Sequence, residues 1–260
     1  MSLPLLGLIG GHVDSTAITP LVVALRTWCR PHALDRSLGA PAAILATSPV
    51  AIGLDAALRG PLPVGIVCEH RSELSDAARN EATAIIVRDP GVAAEIGDRA
   101  VVWPRDAVAA AEHPYLSPFV RERWRRRLGL PSSMVIAIGS TEADPIPTAD
   151  ALASLALGAA AVVRGPLLVA ALALGTPTVT DAATAARIGA EHMVHLAVAT
   201  PTEARGQADR LATDPARATA VGWGGRRLVD TELDLGRVAF ATIAALGIGP
   251  IEFPTAPLGR

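Results

Sequence analysis

The chain has 260 residues, enough for one large domain or two smaller ones with a substantial core. Half of it is apolar, only 3% is aromatic, and the net charge is −2, which gives no reason to expect nucleic acid or anionic lipid as a bulk electrostatic partner. All 23 basic residues are Arg, so any anion site must rely on Arg, backbone N–H groups or helix N-termini.

Short apolar runs alternate with helical patterns, which predicts βαβ units and a mostly parallel sheet. "PLLGLIGG" predicts a first strand that ends in the glycine turn Gly10-Gly11, and "STAITPLVVALRTW" a helix after it. "PAAILAT" predicts a strand, "PVAIGLDAALRG" a helix, and "LPVGIVCEH" a strand that ends at Glu69 and His70. "SELSDAARNEA" reads as a helix, "TAIIVRD" as a strand, "PGVAAEIG" as a short helix and "RAVVWP" as a strand. From Arg105 to Ser133 the texture changes to Pro and Arg without a strand-like run, as in a connector between two α/β halves.

The second half opens with "MVIAIGS", a predicted strand ending at Gly139-Ser140. "TADALASLALG" predicts a helix, "AAAVV" a strand, and "PLLVAALALG" a helix with Pro166 in its first turn. "TPTVTD" predicts a strand, "AATAARIG" a helix and "HMVHLAVA" a strand. "PTEARGQADRLATD", "PARATAVGWGGRRLVDTE" and "DLGRVAFATIAALG" predict the closing helices.

The apolar residues 151–163 and the stretch Val162 to Asp181 do not make a membrane span, because Arg164 would sit near the bilayer centre and Gly165-Pro166 would break a helix there. The N-terminus lacks the basic flank of a signal peptide, and Cys29 and Cys68 make neither a disulfide framework nor a metal set. A cytoplasmic protein is therefore expected. His192 and His195, three apart on a predicted strand, would point to opposite faces and share no metal.

The stretch "LVAALALGTPTVTD" resembles the donor-site pattern "L-E-A-M-A-L-G-T-P-V-V" of GT-B fold glycosyltransferases, in particular the retaining family 4 of sucrose-synthase and mannosyltransferase type. "ERWRRRLGLPSSMVIAIGS" is similar to that family's passage into its C-terminal domain, and "EATAIIVRDPGVAAEIGDRAVVWP" to the end of its N-terminal domain. "LPVGIVCEH" resembles the strand whose terminal histidine faces the donor sugar, and "LIGGHVDSTAITPLVVAL" the glycine-rich first turn. "TPTEARGQADRLATDPARATAVGWGGRRLV" resembles the closing helices. The likeness spans most of the chain in a shared order.

The resemblance implies two Rossmann-like α/β halves in a GT-B-type arrangement with a shortened N-terminal half, divided as residues 1–120 on the acceptor side and 121–260 on the nucleotide-sugar side. It implies His70 as the catalytic-site residue, a polar contact to the donor sugar or a stabiliser of positive charge at the anomeric carbon. The residues themselves add that His70 ends a predicted strand, where open α/β sheets bind ligands. Gly10 and Gly11, with His12 beside them, either admit a phosphate or simply make a tight strand–helix turn. Gly139 and Ser140 offer backbone N–H groups to a diphosphate. Arg164 and Gly165 open the next helix, with Arg164 either replacing a phosphate-binding cation or standing as a solvated cap.

One departure is prominent. The family carries two glutamates eight positions apart, one on the ribose and one near the sugar, and here the aligned residues are Val162 and Ala170. The expectation is a glycosyltransferase or glycosyltransferase-like protein using a nucleotide-activated sugar, without metal or cofactor. Its partners would be the donor, an unknown acceptor, and a second copy or partner chain. The alternatives are an inactive GT-B-like scaffold and a nucleotide-sugar isomerase or epimerase.

Overall fold

The structure is a computed structural model that describes residues 5–9, 19–26, 30–33, 41, 43–46, 62–68, 71–74, 80, 82–104, 106–129, 137–140, 161–164 and 166–248. The chain divides into two compact units: Met1–Trp103 with Leu235–Arg260, and Pro104–Asp234.

The first unit begins with β1 (Leu5–Ile9), α1 (Thr19–Leu25), β2 (Arg30–Ala33), β3 (Ala43–Ala46) and β4 (Val64–Cys68). It continues with β5 (Ala84–Val87), α2 (Pro90–Ile96) and β6 (Ala100–Val102). The six strands form one sheet in the order β2-β1-β3-β4-β5-β6, and every pairing is parallel. β3, β4 and β5 are buried at every position, which is why they read as unbroken apolar runs rather than alternating ones. β2, "RPHA", escapes the sequence pattern. Its Pro31 lacks a donor, yet an edge strand needs hydrogen bonds on one side only. α2 starts where Asp89 accepts a hydrogen bond from the Gly91 N–H at 2.7 Å, with Pro90 in its first turn, and stops at Gly97 with φ 76°.

The second unit contains α3 (Pro118–Arg127), β7 (Ala137–Ser140), β8 (Ala161–Arg164), α4 (Pro166–Ala173), β9 (Thr178–Thr180) and α5 (Ala182–Arg187). β10 (Ala197–Val198), α6 (Ala204–Thr213) and α7 (Pro215–Leu228) follow, and a π-type turn, Val229–Leu233, ends the unit. Its sheet is parallel in the order β10-β9-β7-β8. Two apolar clusters fill it, one around Leu168, Leu172, Ile188, Leu196 and Leu228, the other around Val179, Ala197, Leu211 and Ala218. The two ends of this unit meet. The Val108 N–H donates to the Leu233 carbonyl at 2.9 Å, and the Ala110 N–H to the Asp234 carboxylate at 3.1 Å.

The last helix, α8 (Leu235–Ala245), belongs to the first unit, packing on α1 and on β5 and β6. Just beyond it Leu246 lies over Gly65 of β4, where a β-carbon would come within 3.3 Å of the leucine methyl. The sequence expectation of one boundary at 120/121 thus differs from the division by contacts, which falls at Trp103/Pro104 and again at Asp234/Leu235. A linear pattern gives no sign that the final amphipathic helix turns back to the first sheet.

The predicted strand over 192–199 shortens to β10, and His192 and His195 lie in the turn before it. The His192 Nδ1 accepts from the Val198 N–H at 2.8 Å, and the His195 Nδ1 from the Glu191 N–H at 3.0 Å. Side chains that take up the backbone donors of a turn compete with strand formation. Among the described residues no helix is long and apolar enough to cross a membrane.

Candidate functional site

The stretch that carries the family resemblance folds as a strand end, a helix and a helix terminator. α4 ends in a Schellman motif: the Gly175 N–H donates to the Leu172 carbonyl at 2.9 Å and the Thr176 N–H to the Ala171 carbonyl at 2.9 Å, with Gly175 at φ 74°. The next two carbonyls also have donors. Arg226 of α7 donates to the Ala173 carbonyl at 2.8 Å and to the His113 carbonyl, while the Leu174 carbonyl accepts from the Leu116 N–H at 3.0 Å and from buried Arg121 of α3 at 3.1 Å. Both cations stand at the negative end of the helix dipole. Pro177 follows and ends the helix. "LGTP" is therefore a helix stop with every carbonyl engaged, which makes it a mark of the fold.

Burial pushes the Arg121 guanidinium down to about 10, Tyr115 opposing the shift and Arg125 adding to it, so the side chain stays cationic at neutral pH. His113 is held below its ordinary value, first by burial and then by Arg226, against the pull of Glu112. Tyr115 lies edge-on to Trp223, ring centres 5.3 Å apart. The glycines of "GWGG" let α7 come this close: a β-carbon on Gly222 would strike the Gly175 carbonyl, and one on Gly225 would lie 2.8 Å from the His195 carbonyl.

The other end of α4 meets the carboxyl ends of the strands. β7 and β8 pair so that Ser140 stands directly opposite Arg164, and Gly139 opposite Val163. Pro166 begins α4 two residues after Arg164. The first N–H groups of a helix have no partner within it, so this corner gathers a glycine-containing strand end, an arginine position and a helix N-terminus. β7 is also the strand from which the chain crosses to β8 on one side and, after β8, to β9 on the other. Such a switch point is where open α/β sheets take ligands, outside the carboxyl ends.

The structure thus brings Gly139, Ser140 and Arg164 together on adjacent strands, 24 residues apart in sequence between the paired Ser140 and Arg164. Gly165 lies outside the described residues, as do Gly10, Gly11, His12 and His70. The described strands end just before them, β1 at Ile9 and β4 at Cys68. Of the two positions where the family has carboxylates, Val162 stands two residues short of the end of β8, opposite Ile138. Ala170 lies within α4 at 1% exposure. Among the described residues no group of three His, Cys, Asp or Glu is placed to hold a metal ion.

No protein-family model matches the sequence, and no curated protein matches it. Solved structures do. HepE of Anabaena, in complex with UDP, superposes with a TM-score of 0.53 at 13% identity over 95% of this chain and 100% of that one. The same protein with UDP and glucose gives 0.51 at 11%, covering 94% and 99%. A glycosyltransferase from Rickettsia africae gives 0.52 at 8%, covering 94% and 98%. The fold is of the GT-B type.

Against that fold, one residue of the switch point had no signal in the sequence. Thr180 ends β9, and continuing the Ile138–Val179 pairing places it beside Gly139. It is 1% exposed, and its hydroxyl has no hydrogen-bond partner among the described residues. Asp181 after it is committed to α5, accepting from the Thr184 N–H at 2.8 Å and the Thr184 hydroxyl at 2.9 Å. "TVTD" reads as a strand running into a capped helix, and nothing in that pattern separates a structural threonine from a ligand contact.

Proposed function

We propose that the protein is a nucleotide-sugar-dependent glycosyltransferase whose donor diphosphate lies at the carboxyl ends of β7 and β8. The observation that carries this reading is the pairing of Ser140 with Arg164 at the start of α4, in a fold shared with HepE in its complex with UDP and with a glycosyltransferase from Rickettsia africae. The chemistry follows from charge. When the glycosidic bond to the donor breaks, negative charge builds on the departing diphosphate. The Arg164 guanidinium and the N–H groups at the Gly139-Ser140 turn and the start of α4 stabilise it, without a metal. His70 is assigned the donor-sugar contact, Gly165 the close approach of the phosphate to the helix, and Gly10, Gly11 and His12 a second polar turn for substrate. Transfer with retention of anomeric configuration is the outcome the family resemblance implies.

A second reading, a binding protein of this fold without transfer activity, is favoured by the burial of Ala170. A hydrogen bond to a charged acceptor contributes about 1.5–3 kcal/mol, so the missing ribose contacts weaken nucleotide binding by roughly two to four orders of magnitude. Calorimetric titration with UDP, GDP and ADP and their sugars separates the readings. Saturable binding is expected with one base, weakened about tenfold or more by Arg164→Ala without loss of melting temperature. Sugar transfer, followed by mass spectrometry, should be lost in His70→Ala while nucleotide binding persists. No heat with any nucleotide at millimolar concentration sinks the transferase reading; binding without transfer to any acceptor leaves only the second.

A further inference from the structure

At the far end of the second unit's sheet, a cavity of about 310 Å³ opens between the turn before β10 and the junction of α6 with α7. It is lined by His192, Met193, Gln207, Arg210, Asp214 and Arg217, with buried Leu211 as its apolar wall. The turn precedes β10, and α6 runs back from the end of β10, so the cavity lies at the amino ends of the parallel strands. The proposed nucleotide corner lies at their carboxyl ends, and the two are therefore different sites.

The polar groups here are arranged as donors. The His192 Nδ1 accepts from the Val198 N–H, so in the neutral ring the proton sits on Nε2, which is left to donate. The Arg210 Nε donates to the Gln207 Oε1 at 2.9 Å, fixing one edge of that guanidinium and leaving its terminal nitrogens as a fork. Arg217 stands in the first turn of α7, where the helix dipole disfavours a cation. The carboxylate of Asp214 caps that helix, accepting from the Arg217 N–H at 3.0 Å. Glu203 acts on Arg210 only at long range, its own carboxyl being taken up by Thr200.

The wall is strained as well. Met193 has φ 59°, a left-handed backbone on a residue with no conformational excuse for it. It is held there by its N–H on the Leu196 carbonyl at 2.6 Å and by the Gln207 amide on its sulfur at 3.8 Å. Non-glycine residues held in this region cluster at ligand sites.

We infer that this cavity binds the dianion of a phosphate monoester, with the phosphate on Arg210 and Arg217, the His192 Nε2–H completing its shell, and the organic part against Leu211 and Met193. Two arginines and a ring N–H line a cavity whose one carboxylate, Asp214, is turned to the N-terminus of its own helix, and that set suits a tetrahedral dianion better than a neutral ligand. The inference does not depend on the glycosyltransferase reading.

The test is a titration of the intact chain, followed by NMR, with glycerol 3-phosphate, inorganic phosphate and, at matched ionic strength, chloride. Saturable shifts centred on residues 192–217 are expected with glycerol 3-phosphate and not with chloride. Arg210→Gln/Arg217→Gln should weaken them by about tenfold or more. Its unchanged melting temperature in chloride would show that the exposed substitutions leave the fold intact. Equal or tighter binding of inorganic phosphate would overturn the monoester assignment. No saturation by about 20 mM, a weak limit for a useful site, overturns the site altogether. So does an unchanged affinity in the double variant, or displacement of the phosphate ester by UDP, which would place it at the other end of the sheet.

Discussion

The two ends of α4 are built to opposite rules. At its C-terminus each exposed carbonyl from Ala171 to Leu174 has a donor, supplied by Gly175, Thr176, Leu116, Arg121 and Arg226. At its N-terminus the helix follows directly on the strand-end pair Ser140 and Arg164, and its first N–H groups face outward from the hydrogen-bonding ladder by construction. One end has spent its hydrogen-bonding capacity on the fold, whereas the first N–H groups of the other have no partner within the helix itself. The lesson is that a sequence motif spanning both ends mixes two kinds of information. "LGTP" reports on packing, whereas "VVRGP" enters the proposed donor site.

That contrast can be broken most directly at Ala170, between the two ends. Ala170→Glu is expected to destabilise the second unit by about 4 kcal/mol, since a carboxylate would be forced into the core beside Leu168 and Leu172. Denaturant unfolding measures this, and a rise in nucleotide affinity without that loss would show the position to face a ligand after all. Gly222→Val should cost about 3 kcal/mol, because its side chain would meet the Gly175 carbonyl. Arg226→Met should cost about 2 kcal/mol by leaving the Ala173 and His113 carbonyls without that donor. Its UDP affinity, measured by calorimetry, should stay within about twofold of the parent. A large change in affinity would mean that the C-terminal end communicates with the site.

The smallest effect is on pH dependence. Burial holds the folded His113 below its ordinary value of 6.5, so the unfolded chain takes up the proton first as pH falls. Its contribution is therefore complete above pH 6.5 and declines as the pH drops through and below that value. Melting temperatures measured between pH 7 and 5 should show a shallower decline in His113→Gln, and an equal slope would remove His113 from the account.

Most of the α/β alternation was legible because fully buried parallel strands leave unbroken apolar runs, as "AILA", "VGIVC" and "AIIV" do. Helix starts were legible where Asp precedes Pro, as at Asp89 and Asp214, but the start at Ser117 was not, because it lies in the stretch read as a connector. β2 was not, because Pro31 argues against a strand until the edge position is known. Nor was the turn at His192–Leu196, where imidazoles do the work of backbone partners. Two of the arginines of α3 show the same limit. "RERWRRR" reads as a solvated basic face, yet Arg121 and Arg125 are buried while Phe119 is 72% exposed. On the candidate site, sequence reasoning named Gly139, Ser140 and Arg164 separately. Their adjacency is a matter of strand order, and so is the position of Thr180, which no local pattern specifies.

The return of α8 to the first sheet sets an order on synthesis. All six described strands of the first unit are synthesised before residue 104, but the helix that packs on β5, β6 and α1 is made only after the whole of Pro104–Asp234. During that interval the second unit can close on itself, its ends already pinned by Val108–Leu233 and Ala110–Asp234. The first unit must wait with Gly65 and its neighbours bare. A chain arrested at Asp234 would therefore carry a finished second unit and an exposed sheet face, the kind of surface that chaperones recognise.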